Sequence, residues 1–225
     1  GSGKSTISKI LTKLVDYEYG DVLFNGKNIS TIKNKEELKF RSKVQMIFQD
    51  PFASLNSVYT VFYHLSRSLI INGIYNNHPK KDREKYIKKD ICNILVEVGL
   101  SPPEDYIFKL PHEMSGGERQ RISLARALLL KPEIIIADEP TSMLDMSIRM
   151  EILDLFKDLN TKKGLSILFI THDIASACYL SSRLVVLKNG QIIESGLTGD
   201  ILNKTNKEYT RQLIESCQFN WLECK

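Results

Sequence analysis

Two short apolar runs, separated by one helix-length segment, constrain the fold of this chain more than any other feature. They are "EIIIAD", residues 133–138, and "LSILFITH", residues 165–172. Parallel strands that are covered on both faces have such continuous apolar sequences. The segment between them includes "IRMEILDLFKDLNTKKG", which is amphipathic and is closed by Gly164. The pattern predicts an α/β fold with a mostly parallel sheet, in which ligands bind at the carboxyl ends of the strands.

Further strands and a helix are predicted around this sheet. Asn25-Gly26 and Asn189-Gly190 each separate two strand-like runs, which predicts two antiparallel hairpins. The segment "KVQMIFQ" is predicted as a strand whose alternating apolar residues are Val44, Met46 and Phe48. The segment "ISKILTKLV" is predicted as a helix whose core-facing residues are Ile7, Ile10, Leu11 and Leu14.

The middle of the chain has a different character. From about residue 55 to residue 130, helical patterns alternate with proline breakers, which predicts a helical insertion. The 225 residues suffice for one large α/β domain. We therefore expect a single domain over 1–225, with a core of 1–54 and 131–200, a helical subdomain of about 55–130, and a C-terminal helical tail of 201–225.

Composition excludes several classes of protein. The chain is 42% hydrophobic and 26% charged, with a formal net charge of +4, which is ordinary for a globular protein and too mildly basic to predict nucleic-acid binding. No apolar run reaches the roughly 18 to 20 residues that span a bilayer, and no secretory signal is visible. The four cysteines, Cys92, Cys178, Cys217 and Cys224, form no CxxC pair, so we expect no disulfide framework, a reducing setting and free thiols. Cys217 and Cys224, near the end, could alternatively bind metal.

The chain begins with "GSGKST", the end of the phosphate-loop pattern G-x-x-x-x-G-K-[ST]. Glycines let backbone N–H groups turn toward phosphate oxygens, the lysine places a cation on the β- and γ-phosphates, and the serine offers a hydroxyl to Mg²⁺. A Gly/Ser-rich loop is the alternative, but the amphipathic helix that follows favours a phosphate loop. The candidate ATP-binding residues are Gly1, Ser2, Gly3, Lys4, Ser5 and Thr6, with Ser5 also a candidate Mg²⁺ ligand.

Two adjacent acids follow the first apolar run. Asp138 ends the predicted strand, where its carboxylate can hold Mg²⁺, and Glu139 lies beside it, where a carboxylate can orient or deprotonate a water molecule. A solvated loop entry is the alternative. Two acids directly after four apolar residues fit that alternative poorly, because burying them without a cation is costly.

The stretch "MSGGERQRISLARALLLKPEIIIADEPTSMLD" resembles the nucleotide-binding subunit of an ATP-binding cassette (ABC) transporter. The resemblance covers essentially the whole chain and implies a RecA-like P-loop NTPase fold, with ATP and Mg²⁺ as cofactors. It also implies that the first glycine of the phosphate loop, the strand before it and an aromatic residue that stacks on adenine precede this sequence. A chain without those parts is expected to bind ATP weakly or not at all, and to lack a central strand of the sheet.

The resemblance assigns roles residue by residue. Glu139 and His172 become catalytic, with His172 matching the switch histidine that contacts the γ-phosphate. Gln49 matches the glutamine that reaches Mg²⁺ and the attacking water, so it is both a catalytic and a metal-site candidate, together with Asp138. Asp145 matches the aspartate that connects two sites across a dimer, although alone it would be interpreted as a helix N-cap.

A second loop completes the resemblance. The loop of Ser115, Gly116 and Gly117 matches the family signature, which contacts the γ-phosphate held by the opposite subunit through backbone N–H groups. Hydrolysis is therefore expected to need a dimer. Met114 and Glu118 replace the usual leucine and glutamine of this loop. The remaining histidines lack ligand-like spacing, which favours packing or surface roles for His64, His78 and His112.

Finer resemblance points to the oligopeptide, dipeptide and nickel importer subfamily. It rests on "MIFQDPFASLNSVYTV" and "SGLTGDILNKTNKEYTRQLI", although Ser57 replaces an expected proline and Lys207-Glu208 stands where His-Pro is usual. The implied partners are a second ABC subunit, identical or related, transmembrane permease subunits and, indirectly, an extracellular solute-binding protein, at the cytoplasmic face of the membrane. Permease docking is expected on residues 50–65, including Phe52, Tyr59, Phe62 and Tyr63, with packing in a helix core as the alternative for some of these aromatic residues. The alternatives, a DNA-organising ATPase or a translation-type cassette, would need long coiled coils or two cassettes in one chain, and no nucleic acid is expected.

Overall fold

Short strands form one parallel sheet and two hairpins in the computed structural model, which describes residues 2–50 and 54–216. The strands are β1 (Leu23–Phe24), β2 (Lys27–Asn28), β3 (Val44–Ile47), β4 (Ile134–Asp138), β5 (Ser166–Ile170), β6 (Arg183–Lys188) and β7 (Gln191–Leu197). In the parallel sheet β4 lies between β3 and β5, so Ala137 lies opposite both Ile47 and Phe169. This pairing confirms the predicted parallel sheet.

Both predicted hairpins form. Strand β1 pairs with β2 and β6 pairs with β7, each pair antiparallel. The turn residues adopt the positive φ that a tight two-residue turn requires, 50° at Asn25 and 77° at Gly26, and 49° at Asn189 and 76° at Gly190. Asparagine and glycine tolerate this region best, which explains their use at both turns.

Helices lie before, between and after the strands along the chain. They are α1 (Lys4–Leu11), α2 (Lys35–Lys43), α3 (Val61–Ile71), α4 (Lys80–Glu97), α5 (Glu104–Ile107), α6 (Gly116–Leu128), α7 (Met146–Lys163), α8 (Ile174–Leu180), α9 (Thr198–Lys204) and α10 (Glu208–Glu215). Between residues 54 and 130 the regular structure is helical, as the sequence predicts. Helix α7 ends at Gly164, whose φ is 65°, as expected for a left-handed terminator.

One large buried cluster joins the middle helices to the sheet. Leu65 of α3 and Ile91 of α4 share it with Ile135 of β4 and Phe156 of α7, and each of these side chains is fully buried. A second cluster, around Ile29 and the other residues between β2 and β3, covers the opposite side of β4. Strand β4 is therefore enclosed on both faces, in agreement with its continuous apolar sequence.

Helix α1 is rotated relative to the prediction. Ile7 and Leu14 are exposed, 40% and 47%, whereas the buried residues are Ser8 and Thr12. Leu11 packs against the second cluster as predicted, but the prediction was wrong for Ile7 and Leu14. The hydroxyl groups orient the buried face: both bond to helix carbonyl oxygens, and Ser8 also bonds to Asp138 at the end of β4. Periodicity alone does not anticipate a polar contact of this kind.

The outer strands of the sheet also differ from their predicted pattern. In β3 the buried residues are Val44 and Ile47, while Phe48 lies beyond the strand and is 38% exposed. The predicted alternation was wrong because β3 is buried on both faces: Val44 packs in the second cluster and Ile47 in the large one. In β5, Ile167 and Phe169 pack on the large cluster. On the other face Ile170 is buried in the second cluster, whereas Leu168 is 39% exposed, so that face is covered only in part. Within 2–50 and 54–216, no helix is both long and apolar enough to cross a membrane.

Candidate functional site

Glu139 brings together side chains from the ends of the three parallel strands. Its Oε2 accepts a hydrogen bond from Gln49 Nε2 at 3.3 Å and lies 3.0 Å from His172 Nδ1. Gln49 lies just after β3, Glu139 directly follows β4, and His172 lies just after β5. The predicted catalytic residues therefore meet at one carboxylate oxygen, at the carboxyl edge of the sheet.

The backbone of Glu139 is held in a strained conformation. Its φ is 48°, a region that residues with a β-carbon adopt at a cost of roughly 1–3 kcal/mol. Its N–H donates to Ile170 O at 2.8 Å, and its carbonyl accepts from the hydroxyl of Ser142 at 3.0 Å. These bonds fix the backbone of Glu139. Its side chain, which is only 15% exposed, extends from there to contact Gln49 and His172.

Asp138 is buried with half of its carboxylate unpartnered. The residue is 4% exposed, its Oδ2 accepts a hydrogen bond from Ser8 Oγ at 2.9 Å, and within the described chain its Oδ1 has no hydrogen-bond partner. A buried carboxylate oxygen without a donor is costly unless a cation satisfies it. The arrangement suits a divalent cation, which prefers such oxygen ligands.

Ser8 is a site residue that no sequence motif had indicated. The hydroxyl that contacts Asp138 belongs to Ser8, whereas Ser5, the predicted serine, is exposed on the first turn of α1. Ser8 lies three residues after Ser5 and also donates to its carbonyl oxygen at 2.9 Å. Residues three apart share a helix face, so the small polar pair at 5 and 8 was the available signal.

The described part of the candidate phosphate loop is anchored to the second hairpin. Gly3 adopts a φ of 88° as the N-cap of α1, and Ser2 O accepts from Gly190 N at 3.2 Å. Lys4 Nζ donates to Ser2 Oγ at 3.1 Å, so the ammonium group lies beside the loop residue Ser2. Thr6 is exposed, and Gly1 lies outside the described residues.

The predicted signature loop begins helix α6 with a capping box. Ser115 Oγ accepts from Glu118 N at 3.2 Å, and Glu118 Oε2 accepts from Ser115 N at 2.6 Å. Burial raises the pKa of the Glu118 carboxyl, but the hydrogen bonds from Ser115 and neighbouring groups outweigh it and lower that pKa below its usual 4.5. Glu118, noted in the sequence as a departure, thus stabilises this helix start.

Both signature glycines lie against the segment that begins α7. A β-carbon added at Gly117 would meet Ile148 Cγ2 at 2.5 Å, and one at Gly116 would lie 3.5 Å from Leu144 Cδ2. Asp145 is the N-cap of α7, and its Oδ1 accepts from Ile148 N at 3.0 Å. Gly117 therefore has a packing reason to be glycine, independent of any contact with phosphate, whereas Gly116 has room for a β-carbon.

Of the other histidines, two have clear packing environments, as expected. His64 Nε2 lies 3.0 Å from Asn56 O, and burial lowers the pKa of this histidine. The ring of His78 lies between Tyr75 and Tyr86, with ring centroids 5.3 Å and 4.8 Å away. Neither histidine contacts the Glu139 group. Cys217 and Cys224 lie outside the described residues.

The order of these elements along the chain matches a known family. A family model described as "ABC transporter" matches residues 1–142, which include the phosphate loop, Gln49, the signature loop and the Asp138-Glu139 pair. The chain belongs to the ABC transporter family. It is accordingly an ATP-binding and ATP-hydrolysing cassette with the P-loop NTPase fold.

Curated relatives resemble the cassette over nearly its whole length. The oligopeptide transport ATP-binding protein OppF of Streptococcus pyogenes serotype M1 is 42% identical over 217 residues, which cover 96% of the cassette and 68% of OppF. The dipeptide transport ATP-binding protein DppF of Lactococcus lactis subsp. cremoris is 39% identical over 218 residues, which cover 96% of the cassette and 67% of DppF.

Solved structures share the fold of the cassette. The dimeric, post-hydrolysis structure of the ATP-binding cassette MJ0796 bound to ADP and Pi has a TM-score of 0.75 and 29% identity, covering 88% of the cassette and 81% of that chain. The structure of cbiO1 from Clostridium perfringens, part of the ABC transporter complex cbiONQ, has a TM-score of 0.75 and 28% identity. The match covers 90% of the cassette and 76% of the cbiO1 chain.

Proposed function

We propose that the cassette powers an importer for oligopeptides or dipeptides. The observation that carries this assignment is the relationship to the oligopeptide and dipeptide transport ATP-binding proteins over 96% of the chain. The tail supports it: Thr210 is fully buried, and Lys188 Nζ lies 4.2 Å from the centre of the Tyr209 ring. The residues that depart from the subfamily, Ser57 and Lys207-Glu208, are exposed, so they leave this packing intact.

In the catalytic step we assign Glu139 as the carboxylate that orients the attacking water and accepts its proton. A base must lie within hydrogen-bonding reach of that water, and Glu139 ends the central strand at the edge where ligands bind. Gln49 and His172 hold its Oε2 from either side. In this role the two side chains position the carboxylate, and we assign His172 a second role, the donation of a hydrogen bond to the γ-phosphate.

The phosphates and a Mg²⁺ ion have suitable partners nearby. Ser2, Gly3, Lys4 and Thr6, with Gly1, are assigned to the ATP phosphates. Asp138, Ser5 and Gln49 are assigned to Mg²⁺, and the unpartnered Oδ1 of Asp138 supports that assignment. When bound, Mg²⁺ neutralises charge on the β- and γ-phosphate oxygens. Ser8 serves the site by fixing the orientation of Asp138.

We assign Ser115, Gly116, Gly117 and Asp145 to a second nucleotide, held by a partner cassette. Ser115 is exposed at the start of α6, where backbone N–H groups and the helix dipole favour an anion. The hydrogen bonds described for Ser115 and Asp145 are to Glu118 and Ile148, and none of them reaches Glu139. A head-to-tail dimer, of identical or related cassettes, would bring such a loop to the opposite site.

The surface after Gln49 is assigned to the permease subunits. Tyr59 and Tyr63 stack with ring centroids 4.1 Å apart and are each 41% exposed, and Val58 is 75% exposed. Phe62 packs instead on the buried cluster, and Phe52 lies outside the described residues. An aromatic pair on an apolar surface is typical of the centre of an interface.

The assignment places the cassette at the cytoplasmic face of a membrane, bound peripherally, with a solute-binding protein acting indirectly outside. We divide the single domain into a core of 1–54 and 131–200, a helical subdomain of about 55–130 and a C-terminal tail of 201–225. A nickel or other small-solute importer subunit is the second candidate, since the subfamily that the sequence resembles includes nickel importers as well as peptide importers. A non-transport ABC ATPase is the third.

Solute-stimulated ATP hydrolysis by the reconstituted transporter separates these candidates. The cassette is co-expressed with its permease subunits and solute-binding protein, and ATP hydrolysis is measured with short peptides, with Ni²⁺ and without solute. Stimulation by peptides supports the proposal. Stimulation by Ni²⁺ alone would replace it with the nickel importer, and a cassette that purifies with ribosomes or DNA rather than with permeases would overturn the transport assignment.

A further inference from the structure

Arg149 connects two segments of the candidate site that are distant in the sequence. It lies on the first turn of α7, and its Nη2 donates to Leu144 O at 3.2 Å. Its Nη1 lies 3.7 Å from Asp173 Oδ2, in the segment after β5. One guanidinium group therefore joins the residue before Asp145 to the residue after His172.

The Asp173 end of this connection is itself rigid. Asp173 is the N-cap of α8, where its Oδ1 accepts from Ala175 N at 3.0 Å and its Oδ2 accepts from Ser176 Oγ at 2.5 Å. Its backbone N–H donates to Thr171 Oγ1 at 3.0 Å. His172 lies between Thr171 and Asp173, so whatever holds Asp173 also fixes the position of the His172 backbone.

The Leu144 end leads to the signature loop. The side chain of Leu144 is 9% exposed, and a β-carbon at Gly116 would lie 3.5 Å from its Cδ2. Gly116 thus lies close to the Leu144 side chain, and contacts continue from the Leu144 carbonyl through Arg149 to Asp173, the neighbour of His172. His172 in turn contacts Glu139.

The chemistry of the connection favours arginine over lysine. A planar guanidinium presents several N–H groups in a fixed geometry, so it can serve a carbonyl and a carboxylate together, whereas an ammonium is a single flexible point charge. The side chains of Arg149 and Asp173 are each 26% exposed, so their ion pair is less screened than one on the open surface.

We propose that Arg149 is a positioning residue for ATP hydrolysis, which holds His172 in register with the Leu144-Asp145 segment. The inference rests on the proposed roles of Glu139 and His172. Because the signature loop and Asp145 are assigned to the partner's nucleotide, Arg149 links the state of that nucleotide to the placement of His172 in its own subunit. Its loss slows turnover and leaves ATP binding in place.

The test is a kinetic cycle on the full-length protein in its assembled transporter. Arg149→Gln is expected to lower kcat about 5- to 20-fold, with KM for ATP within about 2-fold of the wild type, because it removes positioning rather than binding. In a His172→Ala background, measured by single-turnover hydrolysis of labelled ATP, Arg149→Gln is expected to have no further effect, because the positioned group is gone. Arg149→Lys should recover part of the rate.

Two further variants complete the test: Arg121→Gln is the control, and Asp173→Asn removes the partner of Arg149. Arg121 makes a similar pair of contacts, with Val98 O at 2.6 Å and Glu151 Oε2 at 2.7 Å, but is not linked to His172, so Arg121→Gln should leave kcat within about 2-fold. Asp173→Asn keeps an N-cap for α8 but removes the charge, and should match Arg149→Gln.

The outcomes separate this inference from the proposed catalytic roles. If Arg149→Gln lowers kcat by the same factor with and without His172, or raises KM alone, Arg149 acts structurally or in binding and the inference is overturned. If Glu139→Gln retains wild-type turnover, the proposed catalytic roles fail, and this inference fails with them. Loss of turnover in Glu139→Gln with unchanged kcat in Arg149→Gln overturns only the inference.

Discussion

His172 Nδ1 lies 3.0 Å from Oε2 of Glu139, the oxygen that also accepts a hydrogen bond from Gln49 Nε2 at 3.3 Å. One carboxylate oxygen thus receives side chains from the ends of β3 and β5. A base that is held from both sides keeps its orientation before a water molecule arrives, which lowers the reorganisation needed for reaction. The sharing of one oxygen also has a measurable consequence.

We predict that Gln49 and His172 contribute non-additively to hydrolysis. Gln49→Ala and His172→Ala should each lower kcat, by roughly 10- to 100-fold, and the double variant should lose less than the product of the two. The cycle is measured with the assembled transporter. Gln212→Ala is the matched control, because Gln212 Nε2 also donates to a glutamate oxygen at 3.3 Å, on α10, and should change nothing. Full multiplicativity would show that the two side chains act independently.

The contact between Ser8 and Asp138 predicts a stability effect. Ser8→Ala removes the donor to a buried carboxylate oxygen, so the free energy of unfolding should fall by about 1–3 kcal/mol. Ser42→Ala is the control, because Ser42 Oγ is exposed and donates only to Lys39 O, at 2.8 Å. Urea denaturation followed by circular dichroism compares the two. Equal stability of both variants would mean that Ser8 does not support Asp138.

The close approach of Gly117 to Ile148 predicts a second effect on stability. Gly117→Ala should lower the free energy of unfolding by about 1–3 kcal/mol, because its β-carbon would lie 2.5 Å from Ile148 Cγ2. Adding Ile148→Ala removes that atom and should recover part of the loss. Gly199→Ala, where a β-carbon meets nothing within 4 Å, is the control. A Gly117→Ala protein as stable as the Gly199→Ala protein would contradict the packing account.

The lowered pKa of Glu118 predicts a pH-dependent contribution to stability. A carboxyl whose pKa is lower in the folded state stabilises the fold above its unfolded pKa, and loses that contribution as the pH falls through the folded pKa. The wild type should therefore exceed Glu118→Gln in free energy of unfolding at neutral pH, and the difference should shrink on acidification below about pH 4.5. Urea titrations at several pH values measure it. A difference independent of pH would mean that the charge of Glu118 is irrelevant to the helix start.

The sequence predicted those parts of the site that depend on where strands end. Gln49, Glu139 and His172 follow three apolar runs, and parallel strands bring their carboxyl ends to one edge, so the meeting of these residues was predictable. The hairpins were predictable for a similar reason, since Asn-Gly turns encode their own geometry. In both cases the decisive information is local.

Features that depend on rotation or close approach were not predictable. The spacing of Ile7 and Leu14 indicated the wrong face of α1, because hydrogen bonds of Ser8 and Thr12 orient that helix. The pairing of Arg149 with Asp173 joins two helices whose packing no local pattern describes. Such contacts emerge only when tertiary structure places the helices side by side.

One variant decides whether Glu139 accepts the proton of the attacking water. Glu139→Gln keeps the size and one hydrogen-bonding oxygen of the side chain but cannot accept a proton. ATP binding by the assembled transporter should stay within about 2-fold of the wild type, while kcat should fall roughly 10²- to 10⁴-fold. Hydrolysis by Glu139→Gln at the wild-type rate would contradict the assignment of Glu139 as the proton acceptor.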